Sequence, residues 1–179
     1  MEELLSTGSI PDAGGMIAAE RDYAGAIADY TKSIEILPRY ALAYYNRGNA
    51  RLAQGDLASA ISDYDSAIAM SSGLPKPRLP DVYNNRGHAW LERGDFEKAI
   101  ADSNEAIKIN PRYALGYLNR GLSRLAQGRE DEAERDFHRC IELDDSLRHS
   151  VAESSRQVMQ RRRANELLKA AQALSLVPR

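Results

Sequence analysis

The decapeptide NRGLSRLAQG, residues 119–128, decides how this chain folds, because close copies of it occur twice more. Residues 85–94 read NRGHAWLERG and residues 46–55 read NRGNARLAQG. Each copy holds two glycines seven residues apart: Gly48 and Gly55, Gly87 and Gly94, Gly121 and Gly128. An alanine follows five positions later (Ala60, Ala99, Ala133), and a second small residue stands further on (Ala67, Ala106, Cys140). The pentapeptide PRYAL occupies residues 38–42 and recurs at 111–115. Gly87 and Gly121 are 34 residues apart, as are Gly14 and Gly48, whereas Gly48 and Gly87 are 39 apart. A period near 34 marks a stacked repeat array. Such arrays act as surfaces for partners more often than as sites for chemistry.

Each period reads as two helices. In the middle unit Tyr83, Gly87, Trp90 and Leu91 share one helical face, and Gly94 ends that helix by tolerating a left-handed turn. Asp95 is placed to cap the next helix, where Phe96, Ala99, Ile100, Ser103, Ala106, Ile107 and Ile109 form an inward stripe. Pro111 stops the pattern. Gly87 and Ala99 are the small pair that lets the two helices approach, and Trp90 and Phe96 are expected in the core. The same rules predict pairs at Ala41–Gln54 with Leu57–Met70 and at Ala114–Gln127 with Glu130–Leu143. Arg129 stands where a capping Asp would, so that helix should start less firmly.

The expected layout follows. Residues 1–40 are a loose arm plus a partial repeat, with a short helix near Ala13–Glu20 and a good one at Tyr23–Leu37. Repeats occupy 41–72, 80–113 and 114–147. Between the first two, the stretch Ser71–Pro80 holds three prolines and reads as an extended insertion loop, centred on 73–79. Residues 148–175 form a capping helix whose Val151, Val158, Leu168 and Ala171 cover the last pair. The final Leu176–Arg179, LVPR, matches half of a protease site used to remove tags and is read as a cleavage remnant. The visible ends are therefore not taken as the biological ones.

Composition narrows the function. Charged residues make up 28% and the net charge is −2, without the basic excess of a general nucleic-acid binder. One cysteine rules out an internal disulfide framework. No apolar run reaches the length of a membrane span, and Met1–Ser6 lacks the features of a secretion signal, so a cytoplasmic location is expected. His88, His138 and His149 are scattered, and His138 and Cys140 point to different sides of one helix, so neither a metal site nor catalysis is expected. The glycines sit at contacts and turns rather than in a phosphate loop, and no cofactor is implied.

These aligned positions resemble the tetratricopeptide repeat family across Ala41–Leu143, with a partial unit at Thr7–Tyr40. The resemblance implies an all-α, right-handed superhelical solenoid of antiparallel helix pairs whose first helices line a concave groove. Carried over position by position, the groove would present Leu42, Tyr45, Asn46, Asn49 and Leu52 from the first full unit. The second would present Asp81, Asn84, Asn85, His88 and Glu92, and the third Leu115, Leu118, Asn119, Leu122 and Leu125.

Asn46, Asn85 and Asn119 hold equivalent places. Amide side chains both donate and accept, which suits a bound peptide backbone. The alternative is that they bridge neighbouring helices. Some family members clamp a partner's C-terminal carboxylate with two Lys, two Asn and an Arg. Here Asn49 and Asn85 match, but the cationic places read Tyr45, Leu115 and Asn119, so that mode is rejected.

Arg47, Arg86 and Arg120 recur with Asp29, Asp63, Asp102 and Asp136, and ion pairs between packed helices are expected, with Asp29 reaching Arg47. An acidic or phosphate ligand is the other use of such arginines. Arg161–Arg163 spread around the terminal helix and read as a solvated face. The expected function is that of an adaptor or scaffold holding a segment of another protein in its groove. Self-association and service as a regulatory part of a larger protein are the rivals.

Overall fold

A computed structural model describes residues 23–73 and 78–175. Among them lie eight α-helices and no strand: α1 Tyr23–Ile36, α2 Ala41–Ala53, α3 Leu57–Ala69, α4 Leu79–Arg93, α5 Phe96–Ile109, α6 Ala114–Ala126, α7 Glu130–Leu143 and α8 Arg148–Ser175. The helices pack in pairs, α2 with α3, α4 with α5 and α6 with α7. Each pair also packs on the last helix of the unit before it, so α1 meets α2, α3 meets α4 and α5 meets α6. The expected helix at Ala13–Glu20 and the arm before it lie outside the described residues.

Three glycines close the first helices. Gly55, Gly94 and Gly128 have φ of 81°, 87° and 82°, a region that L side chains rarely adopt. The glycines seven residues earlier do different work, since each touches the second helix of its own pair. A Cβ on Gly121 would lie 2.6 Å from the Phe137 ring, and one on Gly48 would lie 2.8 Å from the Tyr64 ring. At Gly87 the nearest atoms are the Ala99 carbonyl oxygen and Asp102 Cβ, both at 3.3 Å. Where the facing residue is aromatic, only the missing methyl lets the helices close.

The caps differ from unit to unit. Asp56 accepts a hydrogen bond from the Ser59 backbone N–H and so caps α3. Asp95 does not cap α5; its carboxylate turns instead to Arg93, whose Nε donates at 2.8 Å. Arg129 leaves α7 without a side-chain cap, and three acidic residues in the first turn (Glu130, Asp131, Glu132) face the positive end of the helix dipole. The stretch Ser71–Pro80 is not wholly a loop. Ser71–Gly73 form a tight helical turn, and α4 already begins at Leu79, with Pro80 buried in its first turn where a missing N–H costs nothing.

The interior has two apolar clusters. Ala41, Tyr45, Ala60, Tyr64, Ala67 and Val82 make one. Leu91, Ala99, Leu118, Leu122, Cys140 and Val151 make the other. Trp90 and Phe96 pack against the second but stay half-buried, and Arg93 and Lys98 each lie over the Trp90 ring, 4.4 and 4.3 Å from its centre. Cys140 is fully buried, and burial pushes its thiol up to about 11, so it sits as a small apolar group.

Candidate peptide-binding face

The first helices of the units, α2, α4 and α6, lie side by side and present one continuous wall. Its first part keeps partial exposure. On α2, Leu42, Asn46, Asn49 and Leu52 are half-buried, and on α4 so are Asp81, Asn85 and His88. Tyr45 is already packed into the core at 6% exposure. Asn46 makes no hydrogen bond to any described residue, which leaves its amide available.

The other asparagines are engaged. Asn85 donates through Nδ2 to Asn49 Oδ1 at 2.9 Å, and Asn49 Oδ1 also accepts from the Tyr64 hydroxyl at 2.9 Å. Asn84 Nδ2 approaches Asn85 Oδ1 at 3.4 Å. Asn119 is 6% exposed and donates to both the side-chain and backbone oxygens of Asn84, at 2.9 and 3.2 Å. A chain of amides therefore stitches α2 to α4 and α4 to α6. This corrects the expectation of three equivalent groove amides: equivalent places in the repeat have different neighbours, and Asn119 spends its amide N–H on Asn84, which donates in turn to Asn85.

The third part of the wall is covered by the chain itself. Leu118, Leu122 and Leu125 are 8%, 5% and 7% exposed, not groove-lining. Helix α8 packs on α6, with Val151 buried and Val158 seated on the same cluster. Arg162 Nη1 donates to the Leu125 carbonyl oxygen at 3.2 Å and pairs with Glu130 at 3.0 Å. Arg161 crosses further and pairs with Glu92 of α4 at 3.0 Å. Of the α6 leucines, Leu115 alone stays half-buried. Leu168, expected to cover the last pair, is 58% exposed instead, and the side chain of Ala171 lies outside what is described.

Behind the wall each repeated arginine joins two units. Arg47, Arg86 and Arg120 bond Asp63, Asp102 and Asp136 of their own units, with closest contacts of 2.7, 2.6 and 2.7 Å. Through Nη1 the same three reach back to the preceding unit, to Thr31, Asp65 and Asn104. The guanidinium fork suits this double task, because it offers five donors in a fixed plane. Arg47 thus meets Thr31 and not Asp29, which is exposed; the place that faces back is two residues beyond the one expected. The cross-repeat partner was missed because Thr31, Asp65 and Asn104 differ in type. Only their shared distance from the recurring Asp could have flagged them.

A wall of first helices, one stretch partly exposed and one capped, tied from behind by arginine bridges, defines a helical-repeat protein built to present a surface. Comparison with known proteins gives the family. The family model described as TPR repeat matches residues 19–55 and 87–128, and the one described as Tetratricopeptide repeat matches 41–73 and 114–146. The chain belongs to the tetratricopeptide repeat family, and its fold is that family's right-handed solenoid.

Among curated relatives, Tetratricopeptide repeat protein 36 of Bos taurus is 33% identical over 129 residues, covering 72% of this chain and 50% of the relative. The chain spans about half the length of the first curated relatives it matches. Among solved structures, the first TPR of Spaghetti (RPAP3) bound to the HSP90 peptide SRMEEVD is 28% identical with a TM-score of 0.58, covering 68% of this chain and 91% of that one. A crystal structure of MamA reaches a TM-score of 0.64 at 19% identity, covering 84% and 92%, and supports the fold alone.

No group of three or more His, Cys, Asp or Glu side chains is placed to hold a metal among the described residues, and no described helix is long and apolar enough to cross a membrane.

Proposed function

We propose that this protein is an interaction module that holds a segment of another protein against the open wall of α2 and α4. The observation that carries the reading is the half-buried set of Leu42, Leu52 and Asn46, in which the Asn46 amide has no described partner. Apolar neighbours supply burial, and a free amide supplies a donor and an acceptor for a peptide backbone. Likeness to a repeat domain solved with a bound peptide supports a peptide as the kind of ligand.

The ligand differs from SRMEEVD in chemistry. A terminal carboxylate needs cations, and the corresponding places carry Tyr45, Leu115 and Asn119. The segment is therefore an internal, apolar stretch, and a catalytic role is not part of the reading.

Two measurements test it. Titration of the intact protein with SRMEEVD is expected to give no saturable binding. Capture from the native lysate by the wild-type chain, compared with a Leu42→Asp/Leu52→Asp variant of unchanged helix content, is expected to lose at least one partner. Tight binding of SRMEEVD, or identical captured sets, would overturn the proposal.

A further inference from the structure

Asp81 stands on the wall where the neighbouring units have leucine. Its equivalents are Leu42, 39 residues before it, and Leu115, 34 residues after it. It lies in the first turn of α4 and is half-buried. Beside it in the chain, Leu79, Pro80 and Val82 pack into the interior. An acid set among apolar neighbours, at a place the other units keep apolar, calls for a partner.

The carboxylate is held but only half used. The Tyr113 hydroxyl donates to Oδ1 at 2.7 Å. Burial and the acid itself push the Tyr113 pKa up, so the hydroxyl stays protonated and keeps donating. That bond fixes the direction of the carboxylate. Oδ2 has no hydrogen-bond partner among the described residues. Every fully enclosed side-chain nitrogen or oxygen there has one, Arg124 Nε excepted, so Oδ2 reaches solvent. The helix dipole favours an acid in a first turn, yet it asks for no such orientation and no accessible oxygen.

Charge narrows what can meet it. The wall residues of α2, Leu42, Asn46, Asn49 and Leu52, carry none. On α4, Glu92 is paired with Arg161 at 3.0 Å, and burial pushes the His88 imidazole toward its neutral form. Arg78, three residues before Asp81, is exposed and lies over the Tyr45 ring at 6.0 Å rather than pairing with the acid. Asp81 is thus the one charge on this wall without a counter-charge among the described residues. Nor does the chain's own N-terminal stretch match it, since residues 1–22 hold five Asp or Glu and one Arg.

The register says where a ligand's cation falls. Asn85 Nδ2 reaches both the Tyr45 hydroxyl, at 3.5 Å, and Asn49 Oδ1, at 2.9 Å. Asp81, one turn earlier, comes level with the turn of α2 that holds Leu42. Leu52 comes level with His88, about 10 Å further along α4. An extended segment covers that rise in about three residues.

We infer that the α2–α4 wall selects a segment in which a lysine or arginine meets Asp81 and an apolar side chain about three residues away packs on Leu52. The inference rests on the reading of this wall as a peptide site and adds the chemistry of the peptide.

The probe is a library of short peptides randomised at every position, with both ends blocked, screened against the full chain. Selected peptides are expected to share a Lys or Arg and, about three residues from it, a large apolar residue. Replacing that cation by Gln should weaken binding about tenfold, and less at high salt. On Asp81→Asn, which keeps the shape and an acceptor for Tyr113, the cationic peptide and its Gln version should bind alike. Asp81→Arg should bring Glu or Asp into the selected set. Helix content by circular dichroism should be unchanged in both variants. Selected peptides that need Leu42 and Leu52 but carry no cation, or a Gln penalty that persists on Asp81→Asn, would sink the inference and leave the peptide site standing. If no peptide is selected, or binding ignores Leu42→Asp/Leu52→Asp, both fall. A dimer of the free chain that Asp81→Arg dissolves would put a second copy on the wall and overturn the inference as well.

Discussion

Asn85 of α4 gives its amide hydrogen to Asn49 of α2, 2.9 Å away and one repeat upstream. The bond joins two units that share no covalent constraint beyond the Ser71–Pro80 connection. Asn119 repeats the arrangement one unit on, with Asn84 as acceptor at 2.9 Å. Both side chains then belong to the stack, and substitution should be read first in stability. Asn119→Ala strands the buried Asn84 oxygen and is expected to cost about 1–3 kcal/mol. Asn85→Ala, at a half-buried site, should cost about 1 kcal/mol. Asn46→Ala should stay within about 0.5 kcal/mol of wild type, because it leaves nothing unpaired. Chemical denaturation of the three variants measures the order, and equal losses at all three would show that the amides are interchangeable.

The same three asparagines show where sequence reading succeeds and where it stops. The period was legible because it is enforced by steric contact: Gly121 must be small where Phe137 crosses it, and Gly48 where Tyr64 does. Such a demand fixes one residue type at one spacing, and the spacing alone discloses helix pairs. The fate of an amide depends on what the previous unit offers. Asn85 finds Asn49 and Asn119 finds Asn84, while Asn46 has no hydrogen-bond partner among the described residues. Leu118 and Leu122 fall in the groove when the family's positions are carried over, because that carry-over takes no account of a capping helix lying across α6. Val151 and Val158, expected over the last pair, do pack there, and two arginine ion pairs fix the helix in place.

Arg86 ties three helices at once, bonding Asp102 of α5 through Nε and Nη2 at 2.8 and 2.6 Å and Asp65 of α3 through Nη1. The two ends differ in worth. Asp65 is exposed, and its bond contributes little. Asp102 is 5% exposed, so Arg86→Met would leave a nearly buried carboxylate without its cation. The expected cost is about 3–5 kcal/mol. Removing both charges with Arg86→Met/Asp102→Leu should recover most of that loss, because a pair of apolar groups has no stranded charge. Thermal or denaturant unfolding of the two single variants and the double closes the cycle. Additive losses would mean that the two residues act independently.

His88 brings a pH dependence to the junction of α4 and α8. Burial pushes its imidazole pKa below the ordinary value, Glu92 opposes that shift, and Arg161 adds to it. The folded protein therefore holds His88 neutral in a range where the unfolded chain takes up a proton. Below a pH of about 6.5 the unfolded state binds more protons, so stability rises with pH in that window and is lost as pH falls toward the depressed folded pKa. Above the window the contribution is constant. His88→Gln keeps a polar side chain of similar size and removes the titration. Its stability should fall less than that of wild type between neutral pH and the acid side of the window, with the carboxylates common to both. Denaturant midpoints taken at matched pH values measure the difference, and parallel curves for the two proteins would place the pH sensitivity elsewhere.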